Sequence, residues 1–288
     1  MSGKLQYLAV AGLALVLTGG LFDGTALSQK KGGSKKKAGP TEKMFEVQNI
    51  SQQAADCGEP QAPCATVNIR VPSLVSGTNE NARDAINGTI NRLLGAGGNS
   101  GKGPQTPEVL AYEFLSEYER NRAEDPTYRT KWTMEKNFSI VRNDGKVLSM
   151  SFSDRRYTGG DGTTEVLTFA NFRLEDGSSL KLTDLFVEGY DLKLVPLGEQ
   201  KFRTLKRIKP GKSFSESGYT FDGDRFQLTD NFSITPTGLR FHWNRNEIAS
   251  GPNGVTDIVF DWKSITELLK PEGMALLGIV PKPMTTKP

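Results

Sequence analysis

The chain is poor in the residues that most often carry catalysis and metal binding. Of its 288 residues one is histidine, His242, and two are cysteines, Cys57 and Cys64. Zinc sites take three or four His, Cys or carboxylate ligands held close together, so a zinc mechanism is not expected, and neither is a Cys/His one. His242 lies in the strand-like run Leu239 to Trp243 and reads as a structural or rim residue. No G-x-S-x-G stretch occurs, which removes the common serine-hydrolase signature. Ser178-Ser-Leu-Lys181 fits S-x-x-K in form, but it sits at a turn and lacks the companion S-D-N and K-T-G motifs. Around Lys102, Ala96 stands where a phosphate loop needs glycine, and Gly103 stands where it needs Ser or Thr. No cofactor is expected. The net charge is only +3, and its excess is local, so a nucleic-acid-binding body is not expected either. The longest apolar run, Leu5 to Leu17, falls short of the roughly 20 residues that span a bilayer.

That short run is nevertheless informative. Lys4 precedes it, and Ala26-Leu27-Ser28 supplies small residues at cleavage spacing before Gln29, so residues 1–28 read as an export signal peptide. The rest is expected to work outside the cytoplasm, in the periplasm or secreted, with no transmembrane span after cleavage. Residues 29–43 hold six lysines against Glu42 and no apolar periodicity, and read as a flexible basic linker. In an oxidising compartment an even cysteine pair at short spacing forms a disulfide. A Cys57–Cys64 bond would stabilise its small loop by about 2–3 kcal/mol.

From Met44 the pattern is that of a folded α+β protein. Phe45 to Ile50 and Ala65 to Val71 alternate apolar and polar residues, as half-buried strands do. Ala82, Ile86, Ile90, Leu93 and Leu94 fall on one helical face. Thr106 and Pro107 open a second helix carrying the stripe Ala111, Phe114, Leu115 and Tyr118. Beyond Tyr128 alternating runs flank the turns Asn143-Asp-Gly145, Glu175-Asp-Gly177 and Thr235-Pro-Thr-Gly238, which predicts antiparallel hairpins. Leu180 to Leu182 reads as a strand, as does Val255 to Trp262. A third helix is predicted within Asp191 to Arg207, and a short last one from Ser264, where Ser264 and Glu267 fit a capping box. The predicted fold is an antiparallel sheet with helices packed on one face. Two modules are expected, 44–156 and 157–288, within one compact unit.

Two stretches look specific. Tyr157-Thr-Gly-Gly-Asp-Gly162 follows a strand and the pair Arg155-Arg156; its glycines permit either a tight bend or close approach of a ligand to the backbone. Phe241 to Gly251 carries Trp243, Arg245 and Glu247, residue types that anchor protein–protein contacts when exposed. The candidate ligand-binding surface is therefore Tyr157, Thr158, Gly159, Gly160 and Asp161 with Trp243, Arg245 and Glu247. No residue is assigned a catalytic role. Glu113, Glu165 and Glu247 are available for a carboxylate pair, but no spacing selects two of them.

In order and spacing these stretches resemble a family of bacterial extracytoplasmic domains whose best-known member is the outer domain of the anti-sigma-V factor RsiV, which binds lysozyme. The similarity runs from Tyr157-Thr-Gly-Gly160 through Phe172-Arg-Leu-Glu-Asp-Gly177 and Leu180-Lys-Leu-Thr-Asp-Leu-Phe186, then Leu239-Arg-Phe241 and Asn244 to Gly251, ending near Leu269. Upstream, Val67 to Leu94, with Pro72, Asn79 and Ile86-Asn87-Gly-Thr-Ile90-Asn91, is similar to a companion module also found before a peptidoglycan deacetylase domain. The resemblance implies an α+β domain with a non-catalytic role in sensing or binding at the cell envelope. The implied partner is a lysozyme-type muramidase or peptidoglycan. Family members carry a histidine shortly after the paired glycines; here Asp161-Gly162 follows. Regulation of a sigma factor is not expected, because no sigma-binding segment precedes the export signal. The alternatives are a glycan hydrolase using two carboxylates and a structural envelope component held by the basic linker.

Overall fold

The computed structural model describes residues 44–55, 57, 63–96, 105–160 and 162–280. The export signal, the lysine-rich linker, the Gly101 to Gly103 stretch and Asp161 lie outside the described residues.

Five strands form the main sheet, in the order β1-β2-β3-β4-β5. They are β1 (Phe45–Gln53), β2 (Ala65–Leu74), β3 (Trp132–Asn143), β4 (Val147–Tyr157) and β5 (Thr164–Arg173). Side chains alternate faces along each strand. Val67, Ile69, Met134, Leu148, Met150 and Phe172 therefore share the face covered by α1 (Glu80–Gly95) and α2 (Pro107–Glu124). Local chemistry starts both helices. Asn79 accepts the Ala82 N–H at 2.9 Å and caps α1, while Thr106 accepts the Val109 N–H at 3.3 Å just before Pro107. Asn87 then bonds both the N–H and the carbonyl of Leu74, at 2.8 and 2.9 Å, and fixes α1 to the end of β2.

The α+β class and the helix-covered sheet agree with the sequence pattern. One pairing differs: β2 and β3 run parallel. Parallel neighbours need a crossover of a dozen or more residues, and α1 and α2 supply it. The other three pairs of this sheet are antiparallel. The Cys57–Cys64 disulfide is present, close to where β2 begins.

A second sheet, β6 (Phe232–Ile234), β7 (Gly238–Trp243) and β8 (Thr256–Asp261), is wholly antiparallel. Its core gathers Phe202 of α4 (Asp191–Lys206) with Phe214, Tyr219, Phe221, Phe226 and Trp243. The expected strand at Leu180 is a single bridge between Phe172 and Ser179, followed by the short helix α3 (Leu182–Leu185). Asp184 closes that helix start by accepting the Lys181 N–H at 2.7 Å. The helix expected from Ser264 starts two residues earlier, as α5 (Trp262–Ile265), because the Ser264 hydroxyl turns back to the Asp261 carbonyl at 2.7 Å. The last helix is α6 (Pro271–Leu277). The expected boundary at 156–157 falls at the end of β4, and β5 beyond it continues the same sheet.

Candidate functional site

The second stretch meets β5, the strand that follows the glycine-rich one, although Leu167 and Asn244 are 77 residues apart in sequence. β5 is an edge of the main sheet, and an edge strand leaves a row of backbone groups without partners. Asparagine side chains from the second sheet fill that row. Asn231 accepts the Phe169 N–H at 2.9 Å and donates to the Leu167 carbonyl at 2.8 Å. Asn244 accepts the Leu167 N–H at 2.7 Å and donates to the same carbonyl at 3.1 Å. Asn171 works in the opposite direction, from β5 into β6: it accepts the Ile234 N–H at 2.9 Å and donates to the Phe232 carbonyl at 2.8 Å. Each primary amide carries an acceptor and a donor, and so stands in for a peptide group between the sheets.

This seam places the loop after β7 beside the β4–β5 turn. A polar cleft of about 500 Å³ lies between them, lined by Thr163, Thr164, Glu165, Arg245, Asn246 and neighbouring backbone. Arg245 and Asn246 are exposed, and Asn246 takes a left-handed backbone conformation, φ 67°. The Arg245 guanidinium has no hydrogen bond or ion pair to any described residue. Thr163 and Thr164 add hydroxyls, so the cleft offers several donors to an acceptor-rich ligand.

The remaining expected site residues have structural duties. Trp243 was expected on an exposed patch, but it is 3% exposed and packs against Phe202 and Phe226, with ring centroids 6.3 and 5.9 Å away. Its position explains this: Leu239, Phe241 and Trp243 alternate onto the core face of β7. Glu247 is solvent-facing, yet its carboxylate accepts from the Asn244 N–H at 2.9 Å and the Asn244 amide at 3.0 Å, holding the turn closed. Gly159 and Gly160 both have positive φ, 101° and 82°, which is the tight bend of the β4–β5 connection. A Cβ at Gly159 would come within 2.9 Å of the Thr130 side chain. Tyr157 ends β4 and is half-buried, while Thr158 is exposed. Of the available glutamates, Glu113 accepts from Gln105 at 2.8 Å and Glu165 lies 3.8 Å from Arg155.

His242 is buried and belongs to a chain of polar contacts behind the cleft. Its Nδ1 meets Asp257 at 2.9 Å, and its Nε2 faces the Asn244 side-chain oxygen at 3.3 Å. Arg240 binds Asp257 through two prongs, at 2.7 and 2.9 Å. Burial alone would raise the Asp257 pKa, but the bonds from His242 and Arg240 outweigh it and hold the carboxyl at about 2. Asp257, Asn231 and Asn171 carried no sequence signal, since their partners are remote in the chain. No cluster of three or more His, Cys, Asp or Glu residues suited to a metal ion occurs among the described residues.

Comparison with known proteins places the fold. Residues 183–263 match the family model described as a protein of unknown function, DUF3298. A crystal structure of a DUF3298 family member from Bacteroides fragilis superposes with a TM-score of 0.62 at 19% identity, covering 81% of this chain and 95% of that one. A DUF3298 family protein from Pseudomonas aeruginosa gives 0.53 at 15% identity, covering 79% and 95%. No curated protein matches the chain. At these identities the likeness is one of fold, and the chain carries a DUF3298-matching segment within an architecture shared with both solved proteins.

Proposed function

We propose that this chain is a non-catalytic, extracytoplasmic binding protein of the cell envelope, and that the cleft between the β4–β5 turn and the Arg245 to Gly251 loop engages its target. One observation supports the reading: Gly162, at the end of the glycine-rich stretch, and Arg245, Asn246 and Gly251 of the second stretch line one polar cleft with an uncommitted arginine at its rim. Arg245 lines the cleft, and Thr158 and Gly160 are exposed in the β4–β5 connection that leads to it; Trp243 and Glu247 hold the loop that presents Arg245. A target rich in carboxylates and hydroxyls fits these donors, as peptidoglycan does, and the resemblance to lysozyme-binding domains adds a muramidase as the protein alternative. The disulfide suits an oxidising compartment. No described helix is long and apolar enough to cross a membrane.

The test uses the chain from Gln29 onward, which keeps the whole compact unit. Biolayer interferometry against immobilised c-type lysozyme runs beside a pull-down on purified peptidoglycan. Saturable binding to one of them is expected, weakened at least about tenfold by Arg245→Ala if this arginine is an anchor. Binding to neither, or binding indifferent to Arg245→Ala, rejects the cleft. Release of soluble glycan fragments from peptidoglycan would replace the binding reading with a hydrolase one.

A further inference from the structure

The outer edge of the second sheet lacks the cover that β5 has. β8 pairs with β7 on one side and with no strand on the other. The Trp262 N–H donates to the Thr237 carbonyl at 3.1 Å, one step beyond the Gly238–Asp261 pair. Backbone groups alternate direction along an antiparallel strand. Phe260 and Ile258 therefore turn theirs to β7 as Trp262 does, and Val259 and Asp257 turn theirs outward. Among the described residues neither the N–H nor the carbonyl of Val259 or Asp257 meets a partner on that side. Asn231 and Asn244 satisfy the edge of β5, whereas no side chain does so for β8. Natural edges are often blunted by proline, lysine or a bulge. β8 contains no proline or lysine, and its register with β7 is unbroken.

α4 runs beside this edge, and a groove of about 520 Å³ separates the two. Leu197, Lys201 and Leu205, each four residues from the next, line it from the helix, and Asp257 and Val259 line it from the strand. Leu197, Leu205 and Val259 are 39%, 55% and 48% exposed, so the apolar part of the lining is open to solvent. The Lys201 ammonium lies 5.4 Å from the centre of the Phe260 ring, which holds it towards the strand. It has no hydrogen bond or ion pair with a described residue. The Asp257 carboxylate is taken by Arg240 and His242. The groove thus offers free main-chain groups, apolar side chains and one cation. We propose that it binds an extended peptide segment of a partner protein, which adds a strand to β8 and carries an acidic residue between two apolar ones at alternate positions. Main-chain bonds to the edge supply affinity, and alternate side chains supply specificity. The spacing agrees: four residues of helix rise about 6 Å and two residues of strand about 6.6 Å. Apolar, acidic and apolar side chains of the peptide so meet Leu197, Lys201 and Leu205 in turn. A second copy of β8 suits the edge less well. It would bring its own Asp257 and Asp261 to an edge that already holds both, and like charges on neighbouring strands repel.

Fluorescence anisotropy of a labelled hexapeptide, Val-Thr-Asp-Thr-Val-Thr, titrated with the chain from Gln29 tests this. Saturable binding is expected. Val259→Pro removes an outward N–H, a change that edge strands tolerate, and should abolish binding. Lys201→Met, similar in length and uncharged, should weaken binding at least about tenfold, the worth of one charge-assisted hydrogen bond. Lys201 is exposed on its helix, so this variant keeps the test decisive if Val259→Pro does not fold. Exchanging the peptide's aspartate for asparagine should weaken binding similarly. Arg245→Ala should leave it unchanged, which separates this groove from the cleft. Absence of saturable binding, binding that survives Val259→Pro, or binding indifferent to Lys201→Met would overturn the assignment. Sedimentation of the free chain as a dimer that Val259→Pro dissociates would also overturn it, and would give the edge to a second copy instead.

Discussion

Single residues in this protein do work that their types do not announce. Trp243 is the clearest case. Residue type alone suggests a binding anchor, but the period-two run Leu239, Phe241, Trp243 puts it on the core face, and that signal was legible in the sequence. Truncating it would cost about 3–5 kcal/mol of stability, as for a large buried aromatic, so Trp243→Ala cannot report on binding. Asp257 carries a prediction of its own. Its folded carboxyl sits at about 2, below the ordinary aspartate value of 3.8. A depressed carboxyl contributes stability that is present above the unfolded pKa and lost as pH falls through the folded one. Melting curves of the natural chain and Asp257→Asn should therefore differ most above about pH 4 and draw together towards pH 2. A difference that stays constant over that window would mean that the Arg240 and His242 bonds do not set the titration. The partners of Asp257 were not legible, because β7 and β8 must pair before Arg240 and His242 face it.

Elements were legible where their causes are local. The second helix follows from Thr106, Pro107 and an apolar stripe, all within about four turns, and the structure starts it at Pro107. The β3–β4 turn follows from Asn143-Asp-Gly145, where Gly145 adopts φ 85°. The parallel β2–β3 pair was not legible: alternation tells which face a strand buries, not the direction of its neighbour. The β5 edge was equally silent, since its cover comes from side chains more than 60 residues further on. That cover can be weighed. Asn231→Ala removes the bonds to the Phe169 N–H and to the Leu167 and His242 carbonyls. Leaving buried backbone groups unpaired costs about 1–3 kcal/mol each, so a loss of at least about 2 kcal/mol in denaturant unfolding is expected. A change under about 0.5 kcal/mol, typical of surface substitutions, would show that water replaces the amide without penalty.

At the scale of the molecule there are two apolar cores and several polar ties between them. Trp132 belongs to the helix-covered core, and Trp243 and Trp262 to the core of the second sheet. Besides the asparagines, buried Arg142 on β3 reaches the carbonyls of Thr235 and Leu277, at 3.2 and 2.9 Å, and pairs with Asp144. The Ser149 hydroxyl adds a contact to Ser233 at 3.0 Å. These ties predict one cooperative transition: with Trp132 replaced by Phe, fluorescence from the second core should melt together with the far-UV signal of the helices. Two separated midpoints would show that the ties do not couple the cores. The composition of the seam also bears on how the gene tolerates change. Asparagine and aspartate codons differ by one base, and their side chains by one heavy atom, a nitrogen exchanged for an oxygen. At Asn171, Asn231 or Asn244 that exchange turns a donor aimed at a carbonyl into a negative charge aimed at the same carbonyl. A substitution that passes as conservative on the surface is among the harshest available here, and natural variation at these three positions should avoid aspartate even where it accepts larger changes in size.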